Sequence, residues 1–324
     1  MGCIFAIVVL IVIFISLNKI VCFYCRSKVC MVGKTAIVTG GGSGIGYQIA
    51  LDLASKGCRI IIADVVNYTE AARDVAKETH NPNVIGMKLD NQSFTLVREF
   101  AQHIIDNEPR LDILINNAGI ASTVKTYTQD GLHRTMQVNY FSHFLLTHLL
   151  LDLLKKSKPS RIIFTSSIIA YITNLNVEDM NLQGSDDSLW NAIKESAYGY
   201  SKLCQAAAAK TFAVKLKGTG VTANAFHPGG VRSKIFFRAL REESRWLPVF
   251  MGLFTWTYGK STEEGAQTAV YLAQADEVEK VTGAFFQEGR AVFQPLQLRS
   301  EDTCQKIWRN SVKYTKLEPS EVKC

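Results

Sequence analysis

Tyr198 and Lys202, four residues apart, carry the clearest capacity for chemistry in this 324-residue sequence. They open a helical pattern over residues 197–217, so both side chains share one helix face. A lysine ammonium beside a phenol favours the phenolate and brings an otherwise poor acid or base closer to working pH. Tyr200, two positions along, points away from Lys202. The spacing alone is common, and a solvated surface pair is its plain alternative. Ser166 and Ser167 close the apolar run that begins at Arg161, where a hydroxyl can hydrogen-bond a carbonyl or alcohol oxygen. Asn139 lies among apolar neighbours in the helical pattern 132–154. A buried amide there needs partners, and a helix irregularity or a water would supply them.

A second constellation suits phosphate. Thr39-Gly40-Gly41-Gly42-Ser43-Gly44-Ile45-Gly46 follows one apolar run directly and opens a helix pattern. Glycines at 40, 44 and 46 permit a sharp turn, close approach to a pyrophosphate and tight helix–strand packing, while the helix N-terminus offers unpaired N–H groups. Asp64 closes the next run, eighteen positions after Gly46. A carboxylate there can bond both hydroxyls of an adenosine ribose and would repel a phosphorylated one. Val65, Val66 and Asn67 follow instead of Arg, and Ser43 stands where a base would precede Gly44; both favour NAD over NADP. Asn116-Asn117-Ala118-Gly119 closes a further run, and small residues there let a cofactor lie against the backbone.

These residues require a particular scaffold. β-rich runs at 34–39, 58–63, 84–89, 111–115, 161–166 and 221–226, with a seventh at 283–287, alternate with helical patterns at 45–56, 68–79, 96–105, 132–154 and 197–217. Near-continuous apolar strands alternating with helices predict an α/β fold, a doubly wound parallel sheet covered on both faces. Its ligand crevice lies at the carboxyl ends of the strands, where the glycine cluster, Asp64, Asn116–Gly119 and the Ser166-Ser167 pair fall. No Pro-, Ser- or Gly-rich linker divides the region, so residues 31–324 read as one domain and 1–30 as a separate leader.

That leader is apolar from Ile4 to Leu17 and again from Ile20 to Cys25, with no charge before Lys19. About 20 apolar helical residues cross a bilayer, so residues 3–25 are expected to form a single membrane anchor, with a signal peptide as the rival. Lys19, Arg26, Lys28 and Lys34 place the remainder on the cytosolic side, with membrane lipid as a partner. Ala6 weakens a myristoylation motif, and Cys324 is too close to the end for a prenylation box. The eight cysteines and six histidines show no paired ligand spacing, so no metal is expected; Cys22-x-x-Cys25 lacks the βαβ context of a redox motif. Composition, 47% hydrophobic with 7 prolines, excludes disorder. A net charge of +7 without a basic run excludes a nucleic-acid footprint.

In combination the motifs resemble the short-chain dehydrogenase/reductase family over residues 33–290. T-G-x-x-x-G-x-G is Thr39–Gly46, N-N-A-G is Asn116–Gly119, the active-site Asn is Asn139, and Y-x-x-x-K is Tyr198–Lys202. The resemblance implies a single-domain Rossmann sheet and hydride transfer between a carbinol carbon and NAD or NADP. It casts Tyr198 as proton exchanger, Lys202 as tuner of the phenol and holder of the nicotinamide ribose, and Ser167 as orienter of the substrate oxygen, with Ser166 the fallback. Asn139 supports a water-mediated proton path. Asp90 sits near the adenine, and Pro228-Gly229 flanks the nicotinamide. The stretch Asn174–Ser196, with Leu145-Leu146-Thr147 and Ser261–Leu272, is similar to the retinol dehydrogenase 11–14 group. That group is membrane-anchored, mostly uses NADP, and carries Arg where this chain has Val65, which leaves the cofactor choice between NAD and NADP. The similarity implies the endoplasmic reticulum as location and leaves a homodimer open.

Between Val231 and Lys260 a greasy stretch, including Phe236, Phe237, Trp246, Phe250, Phe254 and Trp256, follows the sixth strand. In this fold that position covers the substrate and suits a lipophilic alcohol, aldehyde or ketone; packing against the core or a partner is the alternative. Three functions remain open at this level: a membrane-associated oxidoreductase of retinol-like alcohols, a steroid or isoprenoid-alcohol dehydrogenase, and a cofactor-binding scaffold without turnover.

Overall fold

The structure, a computed structural model, describes residues 22–122, 125–182, 196–232 and 259–324. Strands β1 (Thr35–Thr39), β2 (Arg59–Asp64), β3 (Val84–Lys88), β4 (Ile113–Asn116), β5 (Ser160–Thr165), β6 (Val221–His227), β7 (Phe285–Gln287) and β8 (Arg290–Val292) form one sheet in the order β3-β2-β1-β4-β5-β6-β7-β8. All neighbours are parallel except β7 and β8. The order reverses direction at β1, between β2 and β4, and that switch point opens a crevice at the strands' carboxyl ends.

Residue alternation explains the two covered faces. Ile37, Ile61, Leu114 and Ile162 point to one side and bury against α3 (Phe94–Asn107), α4 (Arg134–Leu149), α6 (Ala197–Lys215) and α8 (Glu301–Tyr314). Val38, Ile60, Ile62, Ile115 and Ile163 point to the other and bury against α1 (Gly44–Ser55), α2 (Tyr68–Thr79) and α7 (Thr262–Gln274). A strand buried on both faces must be apolar at every position, which is why period-two polarity is missing from these runs.

The long helix expected over 132–154 is interrupted. Helix α4 runs from Arg134–Met136 through a π-helical turn, Gln137–Phe141, into Ser142–Leu149, and a separate α5 (Leu151–Lys156) follows. Within the π turn the Ser142 N–H donates to the Gln137 carbonyl, five residues back. Such a bulge reorients side chains and carbonyls locally.

The membrane anchor expected over residues 3–25 does not stand, nor do the membrane-anchored description and the endoplasmic-reticulum location that depended on it. Among the described residues no helix is long and apolar enough to cross a membrane. The end of the expected span, Cys22–Cys25, is not helical; it is a strap on the domain. The Phe23 N–H donates to Glu288 and its ring packs edge-on against Tyr271 at 5.3 Å, while the Cys25 N–H donates to Gln267 Oε1 at 3.0 Å. Those apolar side chains are used by α7 rather than by a bilayer-spanning helix. Residues 1–21 lie outside the described residues, as do 183–195 of the Asn174–Ser196 stretch and 233–258 of the greasy segment.

Candidate active site

Each motif residue falls at the carboxyl edge of the sheet. Thr39 ends β1 and knits the first two loops together. Its hydroxyl accepts the N–H groups of Asn117 (2.8 Å) and Ala118 (3.0 Å), and Asn117 Nδ2 donates to the Thr39 carbonyl at 2.9 Å. Gly40 and Gly44 adopt positive φ, +66° and +61°. A Cβ on Gly46 would stand 2.3 Å from the Gly40 carbonyl oxygen, so only glycine lets α1 begin this close to β1.

The loop fits a dinucleotide. Ser43 caps α1 without a side-chain hydrogen bond to its first turn, unlike Ser93, Ser196, Ser261 and Ser300, which cap theirs. A Cβ at Gly44 would meet nothing within 4 Å. The first N–H groups of α1, with Ile45 among them, thus receive no side-chain cap from Ser43 and lie at the positive end of the helix. Asp64, closing β2, turns its carboxylate onto the same loop and accepts the N–H groups of Gly42 (2.9 Å), Val65 (2.7 Å) and Val66 (3.3 Å). Asp90, beyond β3, accepts the Gln92 N–H at 2.9 Å. Gly119 leaves bare the floor of the crevice: a Cβ there would sit 3.6 Å from Lys202 Nζ and 3.4 Å from Asn139 Oδ1.

Tyr198, Ser167 and Lys202 come together on the other side of that floor. Ser167 follows β5 and starts the 3-10 turn Ile168–Tyr171, capping it through the Ile169 N–H. Gly199 brings α6 against this segment, since a Cβ on it would stand 2.3 Å from Thr173 Oγ1. The Ser167 hydroxyl consequently reaches the Tyr198 phenol and hydrogen-bonds it. Ser166 is turned away and donates to the Lys202 carbonyl at 2.7 Å. Lys202 Nζ lies 5.5 Å from the Tyr198 ring centroid and donates to the Thr165 carbonyl (2.7 Å) and Gln205 Oε1 (3.0 Å).

Electrostatics in this site are governed by burial. Desolvation pushes the phenol of Tyr198 up to about 12, against the pull of the Ser167 hydrogen bond, and brings Lys202 down to about 7. Both shifts disfavour charge, as low dielectric requires. The ammonium's help to the phenolate, expected from the four-residue spacing, therefore works against desolvation of both groups.

Asn139 sits in the π turn, fully buried. Its amide Nδ2 donates to the Ile120 carbonyl (2.9 Å) and Ser201 Oγ (3.0 Å), and its Oδ1 accepts the Ile120 N–H (2.8 Å). It therefore ties the loop after β4 to α6. Pro228 and Gly229 follow β6, with Gly229 at φ +88° against the Lys260 side chain. His227 Nδ1 accepts the Ile168 N–H at 3.1 Å and so fixes the turn that carries Ser167. Gln205, His143 and Thr165 were not singled out from the sequence. Gln205 three residues after Lys202, and His143 four after Asn139, are lone polar positions in apolar helix faces, and that was the available signal.

The profile described as short chain dehydrogenase matches residues 34–177. Retinol dehydrogenase 13 of Mus musculus is 39% identical over 295 residues, covering 90% of this chain and 87% of that one. The chain belongs to the short chain dehydrogenase family. Retinol dehydrogenase 12 of Bos taurus is 37% identical and covers 89% of this chain and 88% of its own length. Among solved structures, an uncharacterized protein from Mycobacterium paratuberculosis superposes with TM-score 0.69 at 26% identity, over 90% of this chain and 96% of that one. The Pseudomonas aeruginosa RhlG/NADP active-site complex superposes with TM-score 0.60 at 28% identity, over 79% and 94%. The dehydrogenase is thus an NAD(P)-dependent oxidoreductase acting on CH–OH groups.

Proposed function

We propose that this dehydrogenase interconverts a lipophilic alcohol with its aldehyde or ketone, a retinol-like compound being the substrate class, and that it prefers NAD. The Ser167–Tyr198 hydrogen bond beside Lys202 carries the reading. A phenol and a hydroxyl converging on one point can hold a substrate oxygen and exchange its proton. The bound nicotinamide would supply the hydride donor or acceptor. Tyr198 moves the proton, Ser167 holds the oxygen, Lys202 places positive charge beneath both, and Asn139 organises the floor.

Gly40, Ser43, Gly44, Ile45 and Gly46 would take the pyrophosphate, Asp64 the adenosine ribose, Asp90 the adenine side, and Asn117, Ala118, Gly119, Pro228 and Gly229 the nicotinamide half. Lipophilic substrate is favoured by two observations. Ile168 and Ile172 stand 53% and 54% exposed on the turn that begins at Ser167, and apolar surface so close to a reacting group is recognition surface. The matched relatives from Mus musculus and Bos taurus carry the name retinol dehydrogenase.

The test is turnover of all-trans-retinal with NADH and with NADPH, against Tyr198→Phe. The wild type should reduce retinal, and the variant should lose about 10²- to 10⁴-fold in kcat while binding dinucleotide as before. Equal rates in the two proteins would refute the assignment of Tyr198. Rapid turnover of a steroid ketone or farnesal, with none of retinal, would refute the substrate class alone.

A further inference from the structure

We propose that Gln205 is a positioning residue of the reaction: its carboxamide, pinned between Lys202 and the Asn139 carbonyl, holds the ammonium in place and ties it to the π turn. The proposal rests on the proposed roles of Tyr198 and Lys202. The geometry assigns the hydrogens of the Gln205 carboxamide and of the His143 ring. An ammonium can only donate, so the Gln205 atom 3.0 Å from Lys202 Nζ is the carbonyl Oε1. The amide Nε2 then donates to the Asn139 carbonyl at 2.8 Å. His143 Nδ1 lies 2.8 Å from that same carbonyl and must carry the ring proton. His143 Nε2 is left as the acceptor and faces two donors, Asn91 Nδ2 at 3.2 Å and the Thr39 hydroxyl at 3.0 Å.

Two consequences set Gln205 apart from a core filler. It is fully buried, in a helix whose next four residues are alanine, so a carboxamide there must have its bonds satisfied or cost stability. Its Oε1 accepts from Lys202, its Nε2 donates to the Asn139 carbonyl with His143 Nδ1 3.4 Å away, and each of these partners belongs to the site. A carbonyl oxygen has two lone pairs, and those of Asn139 are taken by Gln205 and His143. The Gln205 side chain thus makes a direct link from Lys202 to the Asn139 carbonyl.

Lys202 forms no ion pair among the described residues. Its acceptors are the Thr165 carbonyl and Gln205. The titratable groups facing it are Tyr198 on its own helix and, from α4, His143, which burial keeps neutral with its value down to about 3. Deleting one of two neutral acceptors makes the ammonium easier to lose and freer to move, and less positive charge near Tyr198 raises the phenol.

The experiment is the pH dependence of kcat for alcohol oxidation, in the full chain, for wild type, Gln205→Met and Gln205→Asn, with Tyr198→Phe alongside. Gln205→Met keeps the volume and removes the acceptor. Its rising limb should move about one unit to higher pH, roughly a tenfold loss at a fixed pH on that limb, with dinucleotide Kd changed less than threefold. Gln205→Asn keeps a shorter carboxamide and should move in the same direction by less; it carries the test alone if the methionine variant does not fold. A folded variant series with lowered Tm and an unmoved limb would overturn the proposal. Full activity in Tyr198→Phe would instead overturn the underlying assignment, and the two failures are separate readings.

Discussion

Replacing Asp64 should change which dinucleotide the enzyme prefers, and the structure sets the size. The carboxylate is half-buried and already turned onto the phosphate loop by three backbone N–H groups. A unit of charge on a ribose phosphate about 5 Å away is repelled by about 0.8 kcal/mol at water's dielectric and about 3 kcal/mol at an effective value near 20. Partial exposure and salt favour the lower part of that range. Removing the charge should then tighten NADP by about 1–2 kcal/mol, or about 5- to 30-fold. NAD should weaken about tenfold through loss of charge-assisted bonds to its ribose hydroxyls. The affinity ratio should therefore swing by about 50- to 300-fold in Asp64→Ala. Asp64→Asn separates the two contributions, because it keeps a carbonyl acceptor for the Gly42 N–H while removing the charge. Titration calorimetry with both oxidised dinucleotides reads the ratio directly. A ratio within threefold of wild type in both folded variants would refute the role given to Asp64.

Two further outcomes follow from the same geometry. Ser167→Ala should lower kcat about 10²-fold by leaving the substrate oxygen and the Tyr198 phenol short of a partner, whereas Ser166→Ala, whose hydroxyl only meets the Lys202 carbonyl, should retain activity within about fivefold; equal losses in both would refute the choice between the serines. Acid should destabilise the fold through buried histidines: burial lowers His143 and His148 to about 3 and His227 to about 4, so below the ordinary value of 6.5 the unfolded chain binds more protons. Their stabilising contribution is complete above 6.5 and is lost as pH falls towards 4 and then 3, at about 1.4 kcal/mol per pH unit for each. Urea midpoints from pH 7 to 5 should fall accordingly, and His148→Leu, which removes a ring with no hydrogen-bond partner among the described residues, should flatten that slope by about a third. A midpoint constant over that range would refute it.

The seven parallel strands were legible because a doubly covered strand must be apolar throughout, and Ile60–Ala63 or Ile113–Ile115 leave no other reading. The crevice motifs were legible because glycine spacing and strand ends fall together. β8 was not, since three residues, Arg290–Val292, mostly exposed at the sheet edge, leave no hydrophobic signature. Helix α8 announces itself only through four buried residues, Cys304, Ile307, Trp308 and Ser311, spaced at a period the eye passes over in a charged stretch. The anchor was misjudged at its boundary: Phe23 and Cys25 read as bilayer residues, yet their apolar surface is satisfied by Tyr271 and the rest of α7. Hydrophobicity states that a residue must be buried and is silent about what buries it.

The π turn shows why the polar half of the site resisted reading. In a regular helix, backbone bonding and tight winding hold each carbonyl along the axis. The extra residue in the turn at Gln137–Phe141 relaxes that constraint just where Asn139 lies, and its carbonyl becomes a junction for His143 from one turn along and Gln205 from α6. None of these residue types has a spacing rule of its own, because what unites them is a distortion of the backbone. The junction in turn gives the buried Lys202 one of its two neutral acceptors, without which its charge would be still harder to keep in so apolar a helix. Alanines at 206–209 let α6 press close against the sheet, and that closeness is tolerable for Lys202 only because Thr165 and Gln205 accept its hydrogen bonds. Packing and chemistry therefore constrain each other here: loosening the alanine face should admit water to the ammonium, while tightening the π turn should withdraw the carbonyl that orients Gln205.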